Sequence, residues 1–115
     1  MSTGTPGNDT LYGTPTNDVL HGLGGDDILY GQKGEDILKG GIGADILKGG
    51  NDSDKLYGET GNDLLYGQKG NDELRGSDGD DTLKGGNDSD KLYGETANDL
   101  LLSLIHISEP TRRIT

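Results

Sequence analysis

The chain repeats one short pattern of polar and apolar positions from residue 4 to residue 102. Glycine recurs every nine residues from Gly4 to Gly94, and a leucine follows each of these glycines seven positions later. Within each unit the first six positions are rich in Gly, Asn and Asp, and the last three form a triplet such as ILK, LLY or VLH centred on the leucine. This pattern predicts eleven successive units, each a turn followed by a short strand.

The fixed period of nine predicts an all-β solenoid whose units stack on their neighbours. Nine residues are too few for a helical repeat, and in an extended triplet the central side chain points away from its two neighbours. The leucines are therefore expected to line one interior over residues 4–102, with residues 1–3 as a short leader. Position 4 of the unit is mostly glycine, which predicts a positive φ there; Asp52 and Asp88 are acceptable substitutes, whereas Thr16 and Ala97 are poor ones.

The composition indicates that leucine alone does not stabilise this fold. Only 28% of the 115 residues are hydrophobic, 22 are glycine, none is cysteine, and the formal net charge is -11. A disulfide framework is therefore excluded. The negative charge disfavours nucleic acid and anionic membrane surfaces and suits a cationic partner. No run approaches the roughly 18 apolar residues of a membrane span.

Aspartate occupies position 6 of every unit, which indicates a function beyond turn formation. In a coil these carboxylates would stack and repel one another, and a cation between turns would reverse that effect. Carboxylate and carbonyl oxygens in a flexible, glycine-rich loop without cysteine suit a hard ion, and calcium fits better than magnesium, which prefers a tight octahedron and its own waters. The predicted metal ligands are Asp9, Asp18, Asp27, Asp36, Asp45, Asp54, Asp63, Asp72, Asp81, Asp90 and Asp99.

Two plainer interpretations of the acidic residues compete with metal binding. Asn-Asp and Gly-Asp pairs are good turn formers by themselves, although turn preference does not demand an aspartate in all eleven units. The other turn aspartates are interpreted as solvated residues rather than ligands, namely Asp26, Asp52, Asp78, Asp80 and Asp88. An EF-hand is excluded, because a loop starting at Asp52 would place Leu56 and Tyr57 where an oxygen ligand and glycine belong.

The unit GGIGADILK at residues 40–48 resembles the nonapeptide GGxGxDxUx of the RTX, or hemolysin-type, calcium-binding repeats. The resemblance covers residues 4–102. It implies a right-handed parallel β-roll with two nonapeptides per 18-residue turn and calcium ions between turns. The position-6 aspartates then form two columns, and the gaps within them allow up to about nine Ca2+ ions.

The resemblance also implies a biological setting. Proteins of this family leave Gram-negative bacteria by type I secretion, so we expect an extracellular module of a larger toxin, protease, lipase or adhesin that folds on binding Ca2+. One alternative is a structural role, as a spacer or as an adhesin or ice-binding coil; the threonines are too irregularly spaced for an ice-matching ladder. Another is an accessory module of a secreted enzyme, although the array itself shows no catalytic constellation. With 18 residues per turn, Ile28, Ile46 and Leu64 share an outer face that could dock another domain.

The period ends at Leu102, where the composition changes to LSLIHISEPTRRIT. This stretch looks like translated sequencing-adapter sequence and resembles nothing in the family. We therefore expect residues 103–115 to be a non-native, disordered tail and the natural C-terminal secretion signal to be missing.

Overall fold

The computed structural model describes residues 2–102, and the predicted tail at 103–115 lies outside the described residues. Each turn-plus-strand unit contributes one strand, and one further strand precedes the array. The twelve strands are β1 (Ser2–Thr3), β2 (Thr10–Tyr12), β3 (Val19–His21), β4 (Ile28–Tyr30), β5 (Ile37–Ile42), β6 (Ile46–Gly50), β7 (Lys55–Thr60), β8 (Leu64–Gln68), β9 (Glu73–Ser77), β10 (Thr82–Lys84), β11 (Lys91–Glu95) and β12 (Leu100–Leu102).

The strands form two six-stranded parallel sheets. Odd-numbered strands make one sheet in the order β1-β3-β5-β7-β9-β11, and even-numbered strands make the other in the order β2-β4-β6-β8-β10-β12. Partners lie 18 residues apart, as in the pairs Leu29 with Leu47 and Leu38 with Leu56. Two nonapeptides therefore make one turn, and the predicted all-β solenoid with an 18-residue turn is confirmed.

The leucines of position 8 fill the interior between the two sheets. Those from Leu20 to Leu101 are at most 1% exposed, and Leu11 of the first unit is partly buried against them. Their strand neighbours face outward, which gives the alternating burial along each triplet. A single leucine per unit is a thin core, as the composition indicated, and within residues 2–102 the other buried side chains are the position-6 aspartates from Asp18 to Asp99.

Two details of the strands were not predicted from the sequence. Ser2 and Thr3, set apart as part of a leader, pair with Leu20 and His21 and thereby extend the odd-numbered sheet. Several central strands are five or six residues long rather than three, because the backbone pairing continues into the next turn. The region spanning residues 2–102 contains no helix of the length and apolarity needed to cross a membrane.

Candidate metal centre

The backbone of each regular turn passes twice through the left-handed conformation. Position 4 has a positive φ in every unit from residue 22 onward, including Asp52 (φ 72) and Ala97 (φ 70). Position 2 also has a positive φ in these units, although glycine is not required there: Leu23 has φ 77 and Gln32 has φ 76. The sequence predicted the first of these kinks and missed the second, because a mixed column of Leu, Gln, Glu, Ser and Gly gives no signal for it.

The glycine of position 1 is required for a different reason. Its φ is not in the left-handed region, but a Cβ on Gly22 would lie 2.5 Å from Asp27 Oδ2 and 2.7 Å from the carbonyl oxygen of Gly40. Gly13, in the preceding unit, meets the corresponding pair of oxygens. The missing side chain therefore leaves open a space that a carboxylate oxygen and a carbonyl oxygen both border. The invariant glycine and the invariant aspartate belong to one structural arrangement.

The position-6 aspartates form two continuous columns through the interior of the turns. In each column, Oδ1 of one aspartate accepts the backbone N–H of the aspartate one turn earlier, as Asp54 does from Asp36 at 2.8 Å and Asp63 does from Asp45 at 2.8 Å. The same bond recurs at 2.8 Å for every position-6 aspartate from Asp27 to Asp99. These aspartates thus connect successive turns and do not simply form local turns.

The second carboxylate oxygen of eight of these residues is buried without a protein hydrogen-bond partner. These Oδ2 atoms belong to Asp27, Asp36, Asp45, Asp54, Asp63, Asp72, Asp81 and Asp90. Each of these side chains is at most 3% exposed. A buried, unpartnered carboxylate oxygen is costly, because the charge loses its hydration and gains nothing in return. Eight such oxygens in regular columns indicate an arrangement completed by a positively charged partner.

The electrostatics of the columns point in the same direction. Burial raises the pKa of Asp54 from 3.8 to about 7; the inter-turn hydrogen bond opposes this increase, and the carboxylate of Asp36 adds to it. The same causes raise the pKa of Asp36 to about 6 and that of Asp72 to about 9. In the absence of a cation, the carboxyl of Asp72 is therefore mostly protonated at neutral pH and that of Asp54 partly so, whereas that of Asp36 is mostly ionised. A cation close to Oδ2 would favour the charged form instead.

The donor set fits a hard divalent cation such as calcium. Unpartnered carboxylate oxygens lie beside backbone carbonyls of the neighbouring turn, and oxygen ligands of these two kinds are what calcium takes. Within residues 2–102, no three Asp, Glu, His or Cys side chains come close enough to hold a metal by themselves. Backbone carbonyls would therefore have to supply a large share of the ligands.

Asp9 and Asp18, at the start of the two columns, have different surroundings. Their Oδ2 atoms accept the backbone N–H of Thr5 and Thr14, each at 2.6 Å. Neither is among the aspartates with an unpartnered buried oxygen. The structure thus places all eleven predicted residues in columns but distinguishes these two from the regular ones.

The remaining turn aspartates also bind neighbouring turns. Asp26 Oδ1 accepts the N–H of Ala44 at 2.9 Å in the next turn, and Asp80 Oδ1 accepts that of Asn98 at 3.0 Å. Asp52 Oδ2 accepts the N–H of Gly34 in the preceding turn at 2.9 Å. Asp88 and Asp78 have inter-turn partners too, in Gly70 and Thr96 respectively. The interpretation as solvated turn residues therefore missed a second set of inter-turn hydrogen bonds.

The outer face of the even-numbered sheet carries the predicted apolar row. Ile28 is in register with Ile46, and Ile46 with Leu64, and all three are half-buried. Beside this row, the Lys48 ammonium lies over the rings of Tyr30 and Tyr66, 5.5 and 5.6 Å from their centroids. The placement follows the 18-residue turn; docking of another domain on this face stays a prediction.

A family model for the RTX calcium-binding nonapeptide repeat matches the chain in four copies, at residues 3–38, 30–65, 39–74 and 66–101. Together these matches cover nearly the whole array. No curated protein sequence matches the chain significantly.

Proposed function

The chain belongs to the RTX calcium-binding nonapeptide repeat family, and from this premise we propose that its position-6 aspartates from Asp27 to Asp99 bind the calcium ions on which the roll depends for folding. The regular columns from Asp27 to Asp99 would hold the ions, together with carbonyl oxygens of the adjoining turns. Bound calcium supplies positive charge and oxygen coordination between successive turns. The observation that carries the proposal is the set of eight buried Oδ2 atoms without a protein partner.

In the folded roll, the residues of the chain shape each position for an ion. The N–H bond to Oδ1 fixes the carboxylate of one turn against the backbone of the turn before it. Glycine at position 1 keeps the space beside Oδ2 clear of side chain. Since these arrangements need two stacked turns, they do not exist in the unfolded chain. Ligand binding to the folded state alone stabilises that state, so folding and calcium binding are expected to occur together.

Far-UV circular dichroism tests this coupling. We expect a coil spectrum in excess chelator and a β spectrum when calcium is added to ~1 mM, the concentration range in which extracellular calcium modules work. Magnesium at the same concentration is the matched control and should induce little β structure, because it keeps its own waters. A spectrum that is the same in chelator and in calcium would refute the proposal.

The cellular setting follows from the same linkage. We propose that the chain is a module of a larger secreted protein, exported unfolded where calcium is scarce and folded outside the cell. Its role would be to bind ions and support a neighbouring domain rather than to catalyse a reaction, because the columns repeat one carboxylate-and-carbonyl environment. Type I secretion is the route that family membership suggests. Export of the complete gene product from a strain with and without that secretion system would test this part.

A docking role is proposed for the row of Ile28, Ile46 and Leu64. The half-buried apolar row runs across three neighbouring even-numbered strands. Ile46→Lys should leave calcium-induced folding intact, since the side chain points away from the leucine core. It should weaken binding to the adjoining domain of the full protein. Loss of folding in this variant would show that the row belongs to the core and would contradict a docking role.

A further inference from the structure

The first two units, residues 4–21, depart from the regular turn in both conformation and bonding. None of Thr5, Gly7, Thr14 and Thr16 has the positive φ found at positions 2 and 4 of all later units. The turn backbone that surrounds each regular aspartate is therefore absent from these two units. Their leucines, strands and position-6 aspartates nevertheless keep the 18-residue register.

In this first turn, threonine donors hydrogen-bond to the two aspartate carboxylates. The backbone N–H of Thr5 donates to Asp9 Oδ2 at 2.6 Å, and its hydroxyl lies 3.1 and 3.0 Å from Asp9 Oδ1 and Oδ2. Thr14 makes the same three contacts to Asp18, at 2.6, 3.1 and 3.0 Å. A charged acceptor bound by an N–H and a hydroxyl is well satisfied. The Oδ2 atom, which has no protein partner in the eight aspartates from Asp27 to Asp90, thus already has donors here.

Proline at position 3 adds a second, independent departure. In several turns from residue 40 onward the N–H of this position donates to the position-2 carbonyl of the preceding turn, as Ile42 does to Leu23 and Asn51 does to Gln32. Pro6 and Pro15 stand at this position in the first two units and have no N–H to donate. Removal of exposed donors by proline is a common way to blunt the edge of a sheet.

We propose that residues 4–21 form a calcium-independent cap, in which Thr5 and Thr14 take the place of the ion at Asp9 and Asp18. This inference rests on the proposed function, because it assigns which aspartates of the columns bind calcium. The regular aspartates then enclose four inter-turn gaps in the column from Asp27 to Asp99 and three in the column from Asp36 to Asp90. These gaps give about seven positions for an ion. The predicted ceiling of about nine ions falls accordingly.

Native mass spectrometry of the full chain at saturating calcium tests the cap by counting bound ions. The double variant D9N/D18N should bind as many ions as the unchanged chain, because Asn still accepts the threonine N–H. The matched double variant D45N/D54N, which also changes one residue in each column, should lose up to four ions. Loss of ions from D9N/D18N would overturn the cap.

A second variant keeps the test decisive if D9N/D18N does not fold. It converts both units of the first turn to the regular pattern through the substitutions Thr5→Gly, Pro6→Asn, Thr14→Gly, Pro15→Asn and Thr16→Gly. This variant should gain up to two ions; a folded variant with no gain would show that threonine is not what excludes calcium. If the unchanged chain binds no calcium, the proposed function itself fails. A chain that binds calcium but loses ions in D9N/D18N defeats only the cap.

Discussion

Replacing Asp54 by Asn should change the stability of the roll in opposite directions with and without calcium. The Asn Oδ1 can still accept the N–H of Asp36, now bonded at 2.8 Å, while the buried Oδ2 becomes an uncharged NH2 group. In the metal-free roll the pKa of Asp54 is raised from 3.8 to about 7, mainly by burial. Ionising this carboxyl at pH 8 therefore costs roughly 4 kcal/mol, which the amide does not incur.

The sign of the pH dependence follows from that raised pKa. Below about pH 4 the Asp54 carboxyl is protonated in both folded and unfolded chains, so it carries no ionisation penalty. The penalty grows as the pH rises towards about 7, where the folded state finally loses the proton. The metal-free roll is thus expected to lose stability over this range. D54N should reduce that loss.

With calcium bound the effect reverses, because Asp54 adjoins two gaps of its column. An ion present at about 100 times its dissociation constant adds roughly 2.7 kcal/mol to stability, so losing both ions would remove about 5 kcal/mol. Metal-free folding can be driven by an osmolyte such as trimethylamine N-oxide in chelator at pH 8 and followed by far-UV circular dichroism. D54N should fold at lower osmolyte concentration than the unchanged chain. In saturating calcium it should unfold at lower urea concentration.

Asp26→Asn is the matched control for this experiment. Asp26 is exposed and accepts the N–H of Ala44 through Oδ1, and Asn8 already makes the equivalent bond to Asp26 itself. We expect D26N to change both midpoints by less than about 0.5 kcal/mol. If D54N shifted the stability of the roll equally with and without calcium, the Asp54 carboxylate would have no interaction specific to calcium, and the assignment as a ligand would be wrong.

Two further substitutions test the turn geometry. Gly40→Ala would place a Cβ 2.5 Å from Asp45 Oδ2, so we expect the free energy of unfolding to fall by about 1–3 kcal/mol and calorimetric titration to show fewer bound ions. Gly7→Ala is the control, since its Cβ would come no closer than 3.7 Å to a neighbour. Equal effects of the two substitutions would contradict the steric argument. Ala97→Gly should raise the urea midpoint in calcium by an amount equivalent to about 1 kcal/mol, because Ala97 has φ 70, a conformation that glycine adopts without strain. An unchanged or lower midpoint would argue against strain at this position.

The sequence determined the architecture because the fold is local and periodic. A leucine every nine residues, alternating with outward positions in each triplet, leaves few ways to bury the apolar side chains other than stacking the units. The invariant aspartate predicted a stack of carboxylates by the same reasoning, and the resemblance to the RTX repeat supplied the 18-residue turn that divides them into two columns. The apolar row of Ile28, Ile46 and Leu64 then followed from counting 18 residues per turn, and the observed register agrees with it.

Only the tertiary structure decided what the individual oxygens do, because their partners lie one turn away and depend on backbone conformation. It placed Oδ1 of Asp54 against a backbone N–H, left Oδ2 buried without a protein partner, and explained the glycine of position 1 by close approach rather than by φ. It also distinguished Asp9 from the regular aspartates through its threonine donor. A one-letter pattern records that both positions are aspartate, but the surrounding donors and the desolvation of each carboxylate arise only when the turns stack.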